Sequence, residues 1–512
     1  MRKVLLSLIA VFALVFALGV LAGCGNGHSN RIRIPNDPSG GNNAGFSNAS
    51  LAGTYVFTAH GFDDRSGFAN FSVTGNFTAD GSGNITGGTR DTVDDLGRQT
   101  LNEAISGSYF VNADGRGQAV ITGSSGQVIY RFVLESPASG RLFQDGTTSH
   151  NVLIQATGNI QLQSGAPITP VGTYILRLDG EDTNLNLYGA IGGIAFTGTS
   201  IDATIDENDN GTFRGERGGT GSITLSGSRG TANLSVNGFN HRFVVYFVSP
   251  TKLELISTDR NFMLQGSAEA QSSFAPTAIA FAATAPQQVF SLAGFDLIGP
   301  RVEIGRMTLN SSGTITNAIE DINNTTPSFF AGVNISGSAY TVNATNGRWT
   351  ASLVNASGAP TPNLVGWQIS PQRSVVLTTN NNILETGIMR AQTLGLTTAS
   401  VIGDFAEDLA GFNSLFPFNI QLIANLRLDG LGAFQGVLDS QDDFSGLNLD
   451  AATSGTYSID PSLGRSTNGN IDASSGVSGI PVVYYAVDAN TIYFLPSQAG
   501  VVYSGRLVGQ TP

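Results

Sequence analysis

Polar and apolar residues alternate along short stretches of this chain. Phe71, Val73, Phe77 and Ala79 are interleaved with Ser72, Thr74, Asn76 and Thr78, and this period of two predicts a strand with one buried face. Asp80-Gly81-Ser82-Gly83 follows, a turn composition. The same patterning predicts further strands over 55–58, 84–89, 105–111, 118–122, 128–135, 141–144 and 152–162. That makes about eight short strands within one stretch, joined by Gly, Asp, Asn and Ser turns. Residues 243–248 are apolar without interruption, which predicts a strand covered on both faces. No window carries a convincing helical period. The Ala-rich piece 276–285 is the sole helical candidate and reads as an interdomain connector.

The pattern repeats. Gly-x4-Gln recurs as Gly158 with Gln163, Gly266 with Gln271, Gly387 with Gln392 and Gly505 with Gln510, at steps of 108, 121 and 118 residues. Other marks keep this beat: Gly61, Gly180, Gly294 and Gly411 after the opening strand, and Arg116, Arg229, Arg348 and Arg465 in a mid-repeat turn. Ser136-Pro137, Ser249-Pro250 and Ser370-Pro371 mark a hairpin, with Val487-Asp488 in the fourth place. Marks in one order, four times over, identify homologous units. The predicted organisation is 1–23 a signal peptide, 24–50 a lipidated flexible tether, and four all-β repeats over 51–165, 170–272, 286–393 and 400–511. Each unit is expected to fold alone, with few contacts crossing the joints.

Eight antiparallel strands in about 110–120 residues leave two edges to close or cover. An up-and-down barrel closes them, and a β-sandwich, the alternative, shortens them. Gly53-Thr54-Tyr55, the alternating strand after it, and Ala79-Asp80-Gly81 with Ile85-Thr86-Gly87 resemble the opening of avidin-type and lipocalin-type meander barrels. The resemblance implies a barrel and covers about a third of each repeat. No biotin-binding residue can be placed on it. An eight-stranded barrel is just wide enough for its own side chains, so filled cores are expected.

The leader places the protein. Arg2 and Lys3 precede an apolar run, and Leu21-Ala22-Gly23-Cys24 closes it with the single cysteine among 512 residues. This layout is that of a secretory signal, and the four residues resemble the lipobox of bacterial lipoproteins. The resemblance implies cleavage before Cys24 and acylation of that residue, which becomes the membrane anchor. Gly25 after the cysteine, in place of aspartate, implies transfer to the outer membrane where the source has two membranes. The chain as a whole resembles the Gly-rich β-repeat lipoproteins of bacterial envelopes. The region 25–50 is rich in Gly, Asn, Ser and Pro and reads as a tether. Loss of Arg2 and Lys3 moves the formal charge from -13 to -15 and leaves Lys252 as the one lysine. An acidic surface of this kind argues against nucleic acid as a partner.

Candidate chemistry is sparse. His28, His60, His150 and His241 are scattered, and no motif calls for a cofactor. Asp206, Asn208 and Asn210, followed by Gly211, match the first half of a calcium loop. Position twelve is Arg217 where a bidentate glutamate belongs, so a hairpin turn is the better reading. Asp63-Asp64, Asp94-Asp95 and Asp442-Asp443 could serve a hydrolase acting on an envelope or extracellular polymer, but read as solvated turns. The four arginines read as structural, and Tyr55, Tyr109, Tyr174 and Tyr457 as core anchors. Two classes follow: a non-enzymatic, membrane-anchored module that binds a small ligand or surface polymer or acts as a spacer, and, as the alternative, a carboxylate-based hydrolase.

Overall fold

Period-two patterning becomes long, closed β-sheet in the computed structural model, which describes residues 45–512 except 64–68, 147–153, 166, 168, 183–185, 260–261, 274–276, 278–280, 284–285, 297–298, 326–327, 355–361, 414–417, 443–445 and 474–476. Each repeat is an eight-stranded antiparallel barrel of up-and-down order, and the sandwich alternative is not found. Barrel 2 shows the plan, with strands Gly172–Asp182, Leu187–Thr197, Ser200–Asp209, Thr212–Ser226, Arg229–Val236, Phe239–Ser249, Lys252–Ser257 and Phe262–Ala270. Its first and last strands pair from Tyr174 with Ala270 to Asp182 with Phe262, which closes the sheet. Barrel 4 follows the same plan from Ile402–Asn413 to Val501–Gly509. In barrels 1 and 3 the fourth strand is broken in two, at Gln99–Ala104 with Ser106–Val111 and at Ser328–Ile335 with Ser338–Val342.

Alternate residues fill the barrels. In the opening strand of barrel 1, Ala52–Asp63, the side chains of Tyr55, Phe57 and Ala59 join Phe77, Tyr109, Tyr130, Phe132 and Ile160 in one buried cluster. The void left in that core is about 10 Å³, no more than one water. Tyr55, Tyr109, Tyr174 and Tyr457 are buried anchors, and each hydroxyl donates to a backbone carbonyl: Pro137, Leu51, Pro250 and Val401 respectively. Thus the Ser-Pro hairpins of barrels 1 and 2 are tied to the opening strand of their own barrel.

Three sequence expectations shift. The repeated glycines lie within the opening strands, since Gly61 pairs with both Phe71 and Ala156. A Cβ on Gly61, which faces Ala156 across the seam, would come 1.6 Å from the Gln155 carbonyl, and one on Gly158, which faces Ala59, 1.7 Å from the Thr58 carbonyl, so the closing strands approach closely where one residue of the pair lacks a side chain. The ordered fold begins before residue 51: Phe46 is buried in barrel 1, and a short 3-10 turn spans Asn48–Ser50. Inside the expected connector 276–285, Phe281 and Ala282 pack into the core of barrel 3.

The described residues form one compact unit, so the expectation of few contacts across the joints fails. Barrels 1 and 2 share an apolar cluster of Val56 and Val93 with Val244, Tyr246, Val248 and Ile256. Barrels 2 and 3 share Ile175 and Ile191 with Val365, Trp367, Val375 and Leu377. Barrels 3 and 4 share Val289, Val302 and Ile304 with Val483, Tyr485, Tyr493 and Leu495. Barrels 4 and 1 share Ala406 and Ile423 with Val133 and Phe143. The last contact closes the four barrels into a ring. It also explains the apolar run 243–248: Phe243, Val245 and Phe247 fill their own barrel, while Val244, Tyr246 and Val248 face barrel 1. Among the described residues no helix is long and apolar enough to cross a membrane.

Candidate functional site

The repeated arginines meet at the joints. Arg229 of barrel 2 donates through Nε and Nη2 to both oxygens of Asp91 in barrel 1, at 2.8 and 2.7 Å. Arg348 of barrel 3 holds Asp206 of barrel 2 in the same forked way, at 2.8 Å twice. Arg465 of barrel 4 does so with Asp321 of barrel 3. Arg116 of barrel 1 reaches Asp439 and Asp450 of barrel 4, at 2.8 Å each. Planar guanidinium matches carboxylate oxygens two at a time, which gives such contacts direction as well as strength.

Local backbone aims the aspartates. Asp91, Asp206, Asp321 and Asp439 each sit where the third strand shifts register against the fourth, and a bulge re-aims a side chain in this way. Opposite each bulge lies a residue in the left-handed region, Asn102, Glu216, Gly332 or Asp450, whose N–H donates to the aspartate. A third partner completes three of the four sites: Tyr246 hydroxyl on Asp91, Trp367 Nε1 on Asp206 and Tyr485 hydroxyl on Asp321. In barrel 1 the corresponding position is Val133, paired with Arg116 as Tyr246 is with Arg229; there Asp450 supplies the extra contact.

The repeated glutamines do the same work at each barrel's end. Gln163 Nε2 donates to the Phe247 carbonyl of barrel 2, and Gln271 to Asn346 and Gln368 of barrel 3. Gln392 reaches Leu463 and Ala486 of barrel 4, and Gln510 reaches Asp114 and Leu134 of barrel 1.

Two of the three weak calcium candidates, Asp206 and Asn208, are therefore joint residues. Asp206 lies in the strand before the hairpin, fully buried under Arg348 and Trp367, and Asn208 donates to the Thr378 and Ile383 carbonyls of barrel 3. Asn210 occupies the turn with φ 50° and donates to Asn186. Asn323 and Gln441 stand in the place of Asn208 and likewise donate into the next barrel. Of the carboxylate pairs, Asp94 is held by Arg98 and Asp95 accepts from the Asn70 N–H. Asp64, Asp443, His28, His150 and the lipobox with Cys24 lie outside the described residues.

Barrels 3 and 4 bury ionisable groups of unusual pKa in their interiors. In barrel 3, Arg301 pairs with Glu303 at 2.9 Å and Glu385 at 3.2 Å, and all three are fully buried. The corresponding positions hold Phe71, Val73 and Ala156 in barrel 1 and Ile420, Leu422 and Tyr503 in barrel 4. Burial pushes the Glu385 carboxyl up to about 7 despite Arg301, and the Glu303 carboxyl, buried and beside Glu320, well above its usual range. In barrel 4, burial pushes Glu407 up to about 8, with Asp408 adding to it.

Where the barrels meet, a cavity of about 310 Å³ is lined by barrels 1, 3 and 4. The residues just before the repeated glycines turn toward it: His60, Ala293 and Ala410 line it, together with Phe62 and Phe295 two positions on. The fourth such residue, Asp179 of barrel 2, acts on His60 through its charge. Desolvation among the packed barrels lowers the His60 pKa in spite of Asp179. Gln421 is buried at the cavity wall, and among the described residues its Oε1 has no hydrogen-bond partner. A second hollow of about 480 Å³ lies at the mouth of barrel 1, between Arg90, Arg98, Gln127, Gln144 and Asp145.

Sequence reading found the arginines, glutamines and glycines as marks but missed the aspartates. They keep the same beat, at steps of 115, 115 and 118 residues, each followed two places on by Val93, Asn208, Asn323 or Gln441. No protein-family model and no curated protein matches the chain. Among solved structures it is similar to intact Ap-TbpB with its N and C lobes, at 9% identity over 72% of this chain and 83% of that one, with a TM-score of 0.17. It is similar also to two substituted forms of transferrin binding protein B from Haemophilus parasuis Hp5. Each is 10% identical; they cover 74% and 72% of this chain and 82% of their own, with TM-scores of 0.16 and 0.17.

Proposed function

We propose that this chain is a lipid-anchored, non-enzymatic envelope protein. Cys24 carries the anchor, the polar residues after it form the tether, and the four-barrel ring is a rigid binding module held beyond the membrane. One observation supports the reading above the others: the polar residues repeated in every barrel are engaged with one another across the joints. Arg116, Arg229, Arg348 and Arg465 face aspartates, and Gln163, Gln271, Gln392 and Gln510 face carbonyls. Residues preserved through fourfold repetition thus serve assembly of the ring, and none is aimed at a reacting group. Rigidity suits binding, because a preorganised surface loses little freedom when a partner docks.

The test is Cys24→Ser in the full chain. The parent is expected to take up labelled palmitate and enter the detergent phase on partitioning; the variant is expected to do neither while keeping the scattering profile of a closed ring. Palmitate uptake by the variant would refute the anchor.

A further inference from the structure

We propose that the cavity on the ring axis is a binding site for a neutral sugar unit. Its volume, about 310 Å³, lies at the lower end of the roughly 300–1,000 Å³ range of small-molecule sites. It borders the joint of barrels 3 and 4 through Val302 and Val502 and opens toward barrel 1. It forms only because the ring closes, and it is the place where barrels 1, 3 and 4 all contribute side chains.

Its chemistry is asymmetric. Phe62 of barrel 1 and Phe295 of barrel 3 supply aromatic surface, and Phe295 is among the exposed large hydrophobic residues. An aromatic face left open beside polar groups suits the C–H surface of a pyranose, while the hydroxyls of such a ring need partners around its edge. Thr157, Ser504, Gln421 and His60 are distributed around the wall. Gln421 is the strongest pointer: it is 6% exposed, it lines the cavity, and Oε1 accepts from no group among the described residues. A buried acceptor without a donor costs about 1–3 kcal/mol, and a ligand hydroxyl removes that cost.

Charge selects against ions. Arg301 at the cavity wall is already held by Glu303 and Glu385. Arg177 and Asp179, on the barrel 2 side, pair with each other at 3.0 Å. Among the described residues that line the cavity, Arg301 is the one with a permanent charge, and its carboxylate partners leave it little to offer an acid. Donors and acceptors spread around the wall fit a polyhydroxy ring better than a flat heterocycle, which presents its polar atoms along one edge.

The experiment is calorimetric titration of the full chain in detergent with neutral hexoses, N-acetylhexosamines and their disaccharides, with adenine and galacturonate as controls. At least one neutral sugar is expected to bind with one site per chain. Phe295→Ala and Gln421→Leu are each expected to weaken it at least about tenfold, the loss of about 1.4 kcal/mol of contact. Phe295 is exposed, so its truncation leaves the fold intact, and an unchanged melting temperature verifies this. Three results would each overturn the proposal: no neutral sugar binds at about 10 mM, far above a millimolar Kd of about -4.1 kcal/mol; a sugar binds both variants as well as the parent; or only adenine or galacturonate binds.

Discussion

Arg116→Met tests whether the ring is held closed by its one joint without a covalent link. Methionine keeps much of the apolar stem and removes the head, which now bonds Asp439 and Asp450 at 2.8 Å and Asp114 at 2.9 Å. Asp439 is 8% exposed at its side chain and would keep only the Asp450 N–H, at 2.9 Å. Stranding one member of a buried ion pair costs about 3–5 kcal/mol. Asp450 is 30% exposed, so water screens its share to about 0–1 kcal/mol. The loss is therefore about 3–5 kcal/mol and falls on the joint with the smallest apolar cluster, Val133 and Phe143 against Ala406 and Ile423. The barrels should stay folded while the ring opens. Small-angle scattering should show a larger radius of gyration, with β-sheet content unchanged by circular dichroism. Adding Asp439→Asn removes the stranded charge and should recover most of the compactness. An Arg116→Met protein with the parent's scattering profile, or a double variant no more compact than the single, would refute this account of closure.

Two more outcomes are expected from the barrel interiors. Glu407 rises from 4.5 to about 8 through burial, so the folded state holds a proton that the unfolded chain releases. The stability it lends is complete below about pH 4.5, declines as pH rises, and is gone above about pH 8; the difference is on the order of 4 kcal/mol. Glu407→Gln should flatten the fall in melting temperature between about pH 5.5 and 8.5, and an unchanged slope would contradict the assignment. Gly158→Ala would place a Cβ 1.7 Å from the Thr58 carbonyl, forcing the seam of barrel 1 apart. A lower denaturation midpoint, equivalent to about 1–3 kcal/mol, is expected, and a neutral result would show that the seam can yield.

Much of the fold was legible because a half-buried strand writes itself as alternation. The strands of barrel 1 and the doubly covered run 243–248 could be read directly, and Gly-x4-Gln marks the closing strand of each barrel. Strand lengths were underestimated: the opening strand runs from Ala52 to Asp63, but past Thr58 its inward residues are only Ala59 and Gly61 and its outward ones are His60 and Phe62, so the alternation of large apolar and polar residues stops while the hydrogen bonding continues. The joints were hidden for a different reason. Asp206 and Asn208 look like turn residues because polar side chains usually seek water, and only the bulge and the facing arginine from another barrel make them buried. Composition does not reveal a partner supplied 142 residues away, as Arg348 is to Asp206. Likewise Phe46, an aromatic residue in a polar tether, and Phe281, in an Ala-rich connector, carry no period from which burial could be inferred.

A ring of four identical subunits would have to place the same residue on its axis four times. Here one chain writes all four quadrants, and the axis position reads histidine, aspartate, alanine, alanine: His60, Asp179, Ala293 and Ala410. Each quadrant can therefore drift on its own while the joints keep their common pattern. A substitution on the axis alters one wall in four, so a single centre can be tuned by small steps, whereas a homotetramer would register every change fourfold.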